Sequence, residues 1–227
     1  MNFNKVSNIV ALGLFLALFC GVSGVVMAFF AIKTEKPIEQ KKLQNTQGSL
    51  ASILPEFDNK LTDNTFTVKS DDGYNLKFYG AFRNGKLVGL AVETLSKRGY
   101  GGEIDAVISL NLDGSVRSMT VTKHNETPGL GSVVCERKES KTIFNLFDGK
   151  KKDGGLPPNR YLDYYSGKKQ PKDGWAVAKD GGEAEYMTGA TISSRAIADL
   201  ANRAIRTFRA NQKPIIDGVS KKGGADK

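Results

Sequence analysis

The apolar positions of the chain form three patterns, and each predicts a different kind of element. The first is a run of 27 residues from Val6 to Ile32 without a charged residue, bracketed by Lys5 and Lys33. As a helix this run would be roughly 40 Å long, which exceeds the ~30 Å hydrocarbon core of a bilayer. We therefore predict one N-terminal transmembrane helix, the anchor, in residues 1–33.

A cleaved signal peptide is the main alternative for this segment. The apolar core of a signal peptide is usually only ~7–15 residues long, whereas the run here continues past the possible cleavage site Val26–Ala28 as far as Ile32. Cys20 follows Phe19, which is too bulky for the position before a lipid-modified cysteine, so Cys20 is interpreted as a small apolar filler. The length of the run favours an uncleaved anchor.

Residues 34–58 are polar and rich in lysine, and they predict a juxtamembrane stalk. Pro37 and Pro55 bracket a plausible helix within this stalk. Its lysines are interpreted as a solvated face, and contact with anionic lipid headgroups is the alternative.

The second pattern is the alternation of apolar and polar residues, which predicts antiparallel strands with one buried face. Two similar hairpins are predicted, one around Asn84-Gly85 and one around Asp113-Gly114, and a further turn is predicted at 71–73. Additional strand signals occur at 65–68, 76–79 and 175–179.

The third pattern is helical and runs from Ile192 to Ala210. Its apolar face consists of Ile197, Leu200, Ala201, Ala204, Ile205 and Phe208. A short helix is predicted at 137–147, a surface loop at 149–174 and a flexible polar tail at 211–227. Because strands come first and the long helix last, the fold class is α+β: an antiparallel sheet of hairpins covered by helices, which argues against a dinucleotide-binding Rossmann domain.

Composition limits the classes of function. The chain has 227 residues, of which 40% are hydrophobic and 25% are charged, as is ordinary for a folded protein. The net charge of +9 would suit nucleic acid, but the anchor argues against such a partner. With only Cys20 and Cys135 we expect no internal disulfide. With His124 as the only histidine, we expect no metal site and no Ser-His-Asp hydrolase.

Lysines lie on both sides of the predicted span. Lys5 precedes the span, and Lys33, Lys36, Lys41 and Lys42 follow it. Taken alone, the positive-inside rule would place the large domain in the cytoplasm, but long domains translocate largely regardless of charge. Charge therefore leaves the orientation open.

The segment TGATISS, which begins at Thr188, is the first cluster with candidate chemistry. A helix N-terminus offers free amide groups and the positive end of the helix dipole, which suit a phosphate. Gly189 and Ala190 allow the backbone to approach a ligand closely, and Thr191, Ser193 and Ser194 supply hydroxyl groups. The alternative, which capping statistics favour, is that Thr188 or Thr191 only caps the helix.

Two further clusters are the segments ETPGLG and GYGG. Glu126 and Thr127 can hydrogen-bond the polar edge of a ligand, and the glycines on either side of Leu130 predict a tight loop. Tyr100 can stack on a planar ring, although a glycine-rich bend with a half-buried tyrosine is the alternative. A lone histidine such as His124 is more often structural than catalytic.

The order GYGG, HNETPGLG and TGATISS behind one N-terminal span resembles the RnfG family, the G-type flavoprotein of the Rnf ion-translocating electron-transport complexes. A related family is NqrC, the corresponding component of the sodium-pumping NADH:quinone oxidoreductase, but GYGG and the short chain are more similar to the Rnf protein. The resemblance extends from the anchor to about Phe208. It implies an electron-transfer subunit of a translocase, without a complete active site of its own, in a complex that couples electron flow between ferredoxin and NAD to ion movement.

The resemblance also implies a covalent cofactor. In that family FMN is joined by a phosphoester to the last threonine of a [Ser/Thr]-Gly-Ala-Thr motif, which here is Thr191. Thr188 would support the phosphate, and Gly189 and Ala190 would complete the phosphate turn. The family often has Asp three residues before the motif, where this chain has Glu185.

On the same resemblance, Glu126, Thr127 and Leu130 would lie against the flavin, with Tyr100 as a further contact. The FMN-binding domain would cover residues 59–210. Implied partners are the other subunits of the complex, a flavin transferase that attaches FMN, and the lipid bilayer, with no nucleic acid. The protein would be single-pass in the bacterial cytoplasmic (inner) membrane.

The family places the FMN domain on the extracytoplasmic (periplasmic) side, against the simple charge count. A covalent bond suits that location, because lost FMN could not be replaced there. The alternative functions are the related component of the quinone reductase and a non-redox, membrane-tethered binding module whose TGAT turn is only a cap.

Overall fold

The computed structural model describes residues 3–138 and 156–222, and the chain divides into two units, Met1–Asn45 and Thr46–Lys227. The first helix, α1, covers Phe3–Ile53. Within it, Ala11–Phe30 is long and apolar enough to cross a bilayer. The predicted N-terminal apolar helix is therefore present as a candidate membrane span.

The helix predicted between Pro37 and Pro55 is part of α1 and begins earlier than the proline signal indicated. The end of α1 is held by packing, because Leu50 and Ile53 are buried in a small apolar cluster on one face of the sheet. Burial of this kind stabilises the last turn of α1, which ends before Pro55 as predicted.

The described part of the second unit contains a five-stranded antiparallel sheet in the order β1-β2-β3-β4-β5. The strands are β1 Thr65–Lys69, β2 Asn75–Arg83, β3 Lys86–Gly99, β4 Gly102–Leu110 and β5 Val116–Lys123. Both predicted hairpins are confirmed. Asn84 and Gly85 have φ angles of 52° and 73°, as the tight turn between two twisted strands requires, and Gly114 has a φ of 80°.

Five helical segments follow the sheet in the described residues, and the longest covers one of its faces. They are α2 Gly131–Cys135, α3 Arg160–Asp163, a 3-10 turn at Ala178–Asp180, α4 Thr191–Ala210 and α5 Gln212–Lys222. All six predicted core residues of α4 are buried, and the Phe208 ring lies 6.4 Å from that of Phe78 on β2. The α+β class is confirmed.

The strand predicted at 175–179 is wrong. Val177 forms only an isolated bridge with Ala184, and the 3-10 turn follows directly. The backbone of Trp175 is bonded to α4 instead: its N–H donates to Asn202 Oδ1 at 2.7 Å, and its carbonyl accepts from Asn202 Nδ2 at 2.8 Å. These bonds use the groups that a neighbouring strand would need.

The surface loop predicted at 149–174 contains α3, which begins after Asn159. The side-chain oxygen of Asn159 accepts hydrogen bonds from the amides of Tyr161 and Leu162, so a capping residue starts this short helix. Apart from its first two positions, which are not helical, the helix predicted at 137–147 lies outside the described residues, as does the start of the loop.

The flexible tail predicted at 211–227 is wrong for residues 212–222, which form α5. Ile215 and Val219 are fully buried, and Asn64 Nδ2 donates to the Val219 carbonyl at 2.9 Å. The sequence did not indicate this helix, because it is short and contains a proline and a glycine, the two residues with the lowest helix propensity.

Ile215→Ala is expected to lower the free energy of unfolding by about 2–4 kcal/mol, since it would leave a cavity beside the sheet. Urea unfolding of the detergent-solubilised chain, followed by fluorescence of the single tryptophan, measures this loss. Lys213→Ala, at an exposed position of the same helix, should change the value by less than about 0.5 kcal/mol. If both variants change the free energy of unfolding by equally small amounts, α5 is not packed against the sheet.

Candidate functional site

The three clusters predicted from the sequence meet at one cavity beside the N-terminal end of α4. Its volume is about 460 Å³, within the range typical of small-molecule sites. It is lined by Tyr100, Glu126, Thr127, Leu130, Gly131, Lys179, Gly189, Ala190, Thr191, Ile192 and Ser193. Of the predicted site residues, Thr188 alone is not in this lining; it lies in the turn before α4.

The start of α4 is not capped by a side chain. Ala190 occupies the cap position, and neither Thr188 nor Thr191 accepts a capping hydrogen bond. Gly189 has a φ of 88°, a left-handed conformation that a residue with a side chain rarely adopts, so the turn into the helix depends on glycine. The alternative that Thr188 or Thr191 only caps the helix is therefore wrong.

The first turn of α4, whose amide groups have no helical acceptor, lines the cavity. Ser194 is the first residue of the helix whose N–H reaches an acceptor inside the turn, the Ala190 carbonyl at 3.0 Å. The amides of Thr191, Ile192 and Ser193 precede that bond, so they face no helical acceptor. The positive end of the helix dipole adds to them, and this edge of the cavity suits an anion.

Glu126 connects all three clusters. Its carboxylate is buried, with 6% of the residue exposed. Oε2 accepts a hydrogen bond from Ser193 Oγ at 2.6 Å, and Oε1 accepts one from the Gly101 amide at 3.2 Å. The loop at 126–130, the GYGG turn between β3 and β4, and the start of α4 are thereby held together around the cavity.

Glycine is required where these segments approach each other. A Cβ atom at Gly101 would lie 1.9 Å from the carbonyl oxygen of Asn125, and one at Gly131 would lie 2.2 Å from Oε2 of Glu126. Neither contact can be relieved without moving the backbone or breaking the bond between Glu126 and Ser193. The glycines of the two motifs therefore serve packing around the site.

His124 has a structural role, as predicted for a lone histidine. Its Nδ1 accepts the amide N–H of Glu126 at 3.2 Å, and its Nε2 lies 3.3 Å from Oε1 of Glu136. The ring fixes the loop that carries Glu126 and does not line the cavity. Among the described residues, no group of three His, Cys, Asp or Glu side chains could hold a metal ion.

Cys135 lies at the end of α2, buried behind the site. Burial raises the pKa of its thiol from 9.0 to about 12, and the negative charges of Glu126 and Glu136 add to the shift. The thiolate, which is the reactive form, is therefore disfavoured in the folded protein.

Cys135 is expected to resist alkylation in the folded chain at about pH 8, where a free thiol reacts readily. Mass spectrometry of the peptide containing Cys135 after iodoacetamide treatment, with and without denaturant, measures this protection. Because the pKa of the Cys135 thiol is raised in the folded state, the buried thiol contributes stability that is complete below pH 9.0. This contribution is lost as the pH rises toward about 12. Rapid labelling without denaturant would contradict the buried placement.

The rim of the cavity exposes apolar side chains. Tyr100 is 71% exposed, and Leu130 and Ile192 are also exposed. A Cβ atom at Gly189 would lie 3.5 Å from Leu130, so the leucine covers the turn that leads into α4. Exposed apolar groups around a cavity are typical of a site that binds a largely flat ligand or a partner.

Lys179 and Ile192 line the cavity although they are not among the predicted site residues. The sequence predicts Lys179 at the end of a strand, whereas it lies in the 3-10 turn, which brings it to the cavity. No local pattern indicates this turn, which follows a segment held by hydrogen bonds between Trp175 and Asn202 on α4. Ile192 could have been found from its position next to Thr191 in the first turn of the helix.

Comparison with known proteins identifies related sequences over almost the whole chain. A family model described as the FMN-binding domain matches residues 99–206, a range that includes every residue lining the cavity. The G subunit of the ion-translocating oxidoreductase complex of Shewanella piezotolerans is 32% identical, over 95% of each chain. The protein of the same name from Shewanella loihica is 32% identical, over 93% of each chain. The crystal structure of Shewanella oneidensis NqrC is similar with a TM-score of 0.44 and 17% identity, covering 67% of this chain and 69% of that chain.

Proposed function

Because this chain belongs to the family of the G subunit of the ion-translocating oxidoreductase complex, we propose that it carries FMN in a covalent phosphoester bond to Thr191. The family makes it a flavoprotein and an electron-transfer subunit of a membrane translocase. The observation that carries the proposal is that Thr191 lines the cavity at an uncapped helix N-terminus, inside the matched FMN-binding domain.

The residues at the cavity fit FMN in size and in chemistry. The free amides at the start of α4 and the turn at Gly189 and Ala190 would hold the phosphate. Leu130 would lie against the flavin, with Tyr100 at the exposed edge. Glu126 and Thr127, which line the cavity, would supply polar contacts. Thr188, in the turn before α4, would support the phosphate from outside the cavity lining.

The attachment reaction needs a nucleophile and an activated flavin phosphate. Thr191 Oγ1 would displace the leaving group from an activated flavin phosphate held by a flavin transferase. The bond from oxygen to phosphorus forms, the bond from phosphorus to the leaving group breaks, and the hydroxyl proton departs with that group. The net addition to the protein is FMN minus one water.

The residues of the chain would position the cofactor and leave the rim of the cavity at Tyr100 open. When bound, FMN supplies transfer of one or two electrons. Glu126 is fixed by Ser193 and Gly101, so the loop against the flavin cannot move away freely. Because Tyr100 is mostly exposed, the rim is accessible to an electron-transfer partner in the complex.

We infer that the FMN-binding domain covers residues 59–210 and lies on the extracytoplasmic side, with α1 anchored in the bacterial inner membrane and in contact with lipid. The neighbouring subunits would carry electrons between ferredoxin and NAD. The flavin transferase would act on the same side of the membrane, and nucleic acid would not be a partner.

Mass spectrometry tests the covalent bond directly. The full chain would be produced with an active flavin transferase, denatured and digested. We expect an adduct of FMN minus one water on the peptide that contains Thr191. If the transferase modifies a known target in the same cells but this chain carries no flavin, the covalent proposal is wrong.

The orientation is tested with the variant Lys172→Cys, which places a thiol in an exposed loop. A membrane-impermeant maleimide should label it in intact spheroplasts as fully as in lysed cells. Labelling only after lysis would place the domain in the cytoplasm.

A further inference from the structure

We propose that Lys179 binds the flavin phosphate and makes the site selective for FMN over flavins without a phosphate. The inference rests on the proposed function, because it assigns a residue to the same cavity. Lys179 lines the cavity together with Thr191, although nothing in its local sequence marks it as a site residue.

The turn that carries Lys179 is fixed to the helix that carries Thr191. Asp180, the next residue, accepts hydrogen bonds from Nε and Nη2 of Arg195 at 2.7 and 2.6 Å. Arg195 lies in α4, four residues after Thr191. A bidentate pair between a guanidinium and a carboxylate defines orientation as well as distance. The lysine is thus carried on a segment held against the phosphate end of the site.

The charges in the cavity are arranged asymmetrically. Among the described residues that line it, Lys179 is the only cationic one and Glu126 is the only anionic one. The oxygens of Glu126 already accept bonds from Ser193 and Gly101. In the described part of the chain, no carboxylate lies within ion-pair distance of Lys179, and Asp180 beside it is engaged by Arg195. The lysine is therefore available to an anion from outside the chain.

A phosphate fits this arrangement better than a neutral group does. The free amides and the dipole at the start of α4, together with the ammonium group of Lys179, would hold a phosphate there. Riboflavin has the same ring and ribityl chain as FMN but lacks the phosphate. Loss of a residue that recognises the phosphate should therefore weaken the binding of FMN and not that of riboflavin. Loss of a residue that only supports the fold should weaken the binding of both compounds equally.

The test measures reversible binding of FMN and riboflavin by the quenching of flavin fluorescence. The full chain would carry Thr191→Ala and be made without a transferase, so that no flavin is attached. Adding Lys179→Met should weaken FMN binding about tenfold, as expected for loss of one charged hydrogen bond. Riboflavin binding should change by less than about twofold, and the FMN effect should shrink in about 1 M salt.

Three further variants make the test specific. Lys172→Met removes the same charge from an exposed position outside the cavity, and it should leave both affinities unchanged. Lys179→Arg keeps the charge and should restore most of the FMN affinity. Asp180→Asn releases the turn from Arg195 and should produce a smaller loss than Lys179→Met, again for FMN only.

Equal losses for FMN and riboflavin, or no loss for either, would overturn the assignment of Lys179. So would a parent protein that binds the two flavins equally well. If neither flavin binds measurably, the assignment also fails. The adduct measurement, which needs no reversible binding, then decides separately whether the chain is a flavoprotein with a covalent cofactor.

Discussion

Thr191→Ala is expected to eliminate the covalent flavin completely while the domain stays folded. The substitution removes the only oxygen proposed to form the phosphoester. It should change the free energy of unfolding by less than about 0.5 kcal/mol, because Thr191 does not cap α4 and alanine is a good helix former. Mass spectrometry of the denatured protein measures the adduct, and urea unfolding measures the stability.

Two variants control for the attachment site. Thr191→Ser keeps a hydroxyl group at the same backbone position and should retain the adduct. Thr188→Ala removes the other hydroxyl of the motif, which lies outside the cavity lining, and should retain it as well. Covalent flavin that persists in Thr191→Ala, or that is lost in Thr188→Ala alone, would assign the phosphoester to a different oxygen.

Arg203→Met should cause the largest loss of stability among the substitutions considered, about 3–5 kcal/mol, as is typical when one partner of a buried ion pair is removed. The side chain of Arg203 is only 5% exposed. Its Nε donates to Asp72 at 2.5 Å, Nη2 donates to Asp199 at 3.2 Å, and Nη1 donates to the Leu95 carbonyl. The guanidinium also lies 4.4 Å from the ring centre of Tyr74. Methionine would leave both carboxylates without this partner.

The matched control is Arg206→Met, one turn further along α4. Arg206 lies 3.9 Å from Asp71, and both side chains are more than half exposed, so the loss should stay below about 1 kcal/mol. Urea unfolding followed by Trp175 fluorescence compares the two variants. Similar losses would mean that the buried network around Arg203 does not hold α4 to the sheet.

The effect of Arg203→Met should also depend on pH. Burial raises the pKa of Asp72, but hydrogen bonds from Ser70 and Arg203, together with the charge of Arg203, outweigh it and lower the pKa below the usual 3.8. A lowered folded pKa contributes stability above pH 3.8 that is lost as the pH falls through the folded value. The difference between wild type and variant should therefore narrow in acid, and a constant difference would contradict the pairing.

Much of the fold was predictable because its signals are local. The turns at Asn84-Gly85 and Asp113-Gly114 and the alternation around them indicated both hairpins, and their strands pair as neighbours in the sheet. The apolar face of α4 follows from a repeat of three to four residues, and every predicted core position on it is buried. In each case, the residues that define the element lie within a few positions of one another.

The candidate site was predictable only in part. Seven of the eight predicted site residues line one cavity, because the three motifs lie at the ends of elements that the sheet and α4 bring together. The exception is Thr188, which lies in the turn before the helix cap and not in the cavity lining. The sequence could not show that Ala190 occupies the cap position, since that depends on how the chain enters the helix.

The sequence by itself therefore determined the apolar N-terminal helix, the hairpin sheet, the long amphipathic helix and the family to which the motifs belong. Tertiary structure alone decided the course of residues 175–180, the helical tail and the location of Lys179. The physical reason is the range of the interactions. Asn202 binds the backbone of Trp175 from 27 positions away, and Asn64 binds Val219 from 155 positions away. Such hydrogen bonds exist only once the chain has folded, so no local pattern of residues can encode them.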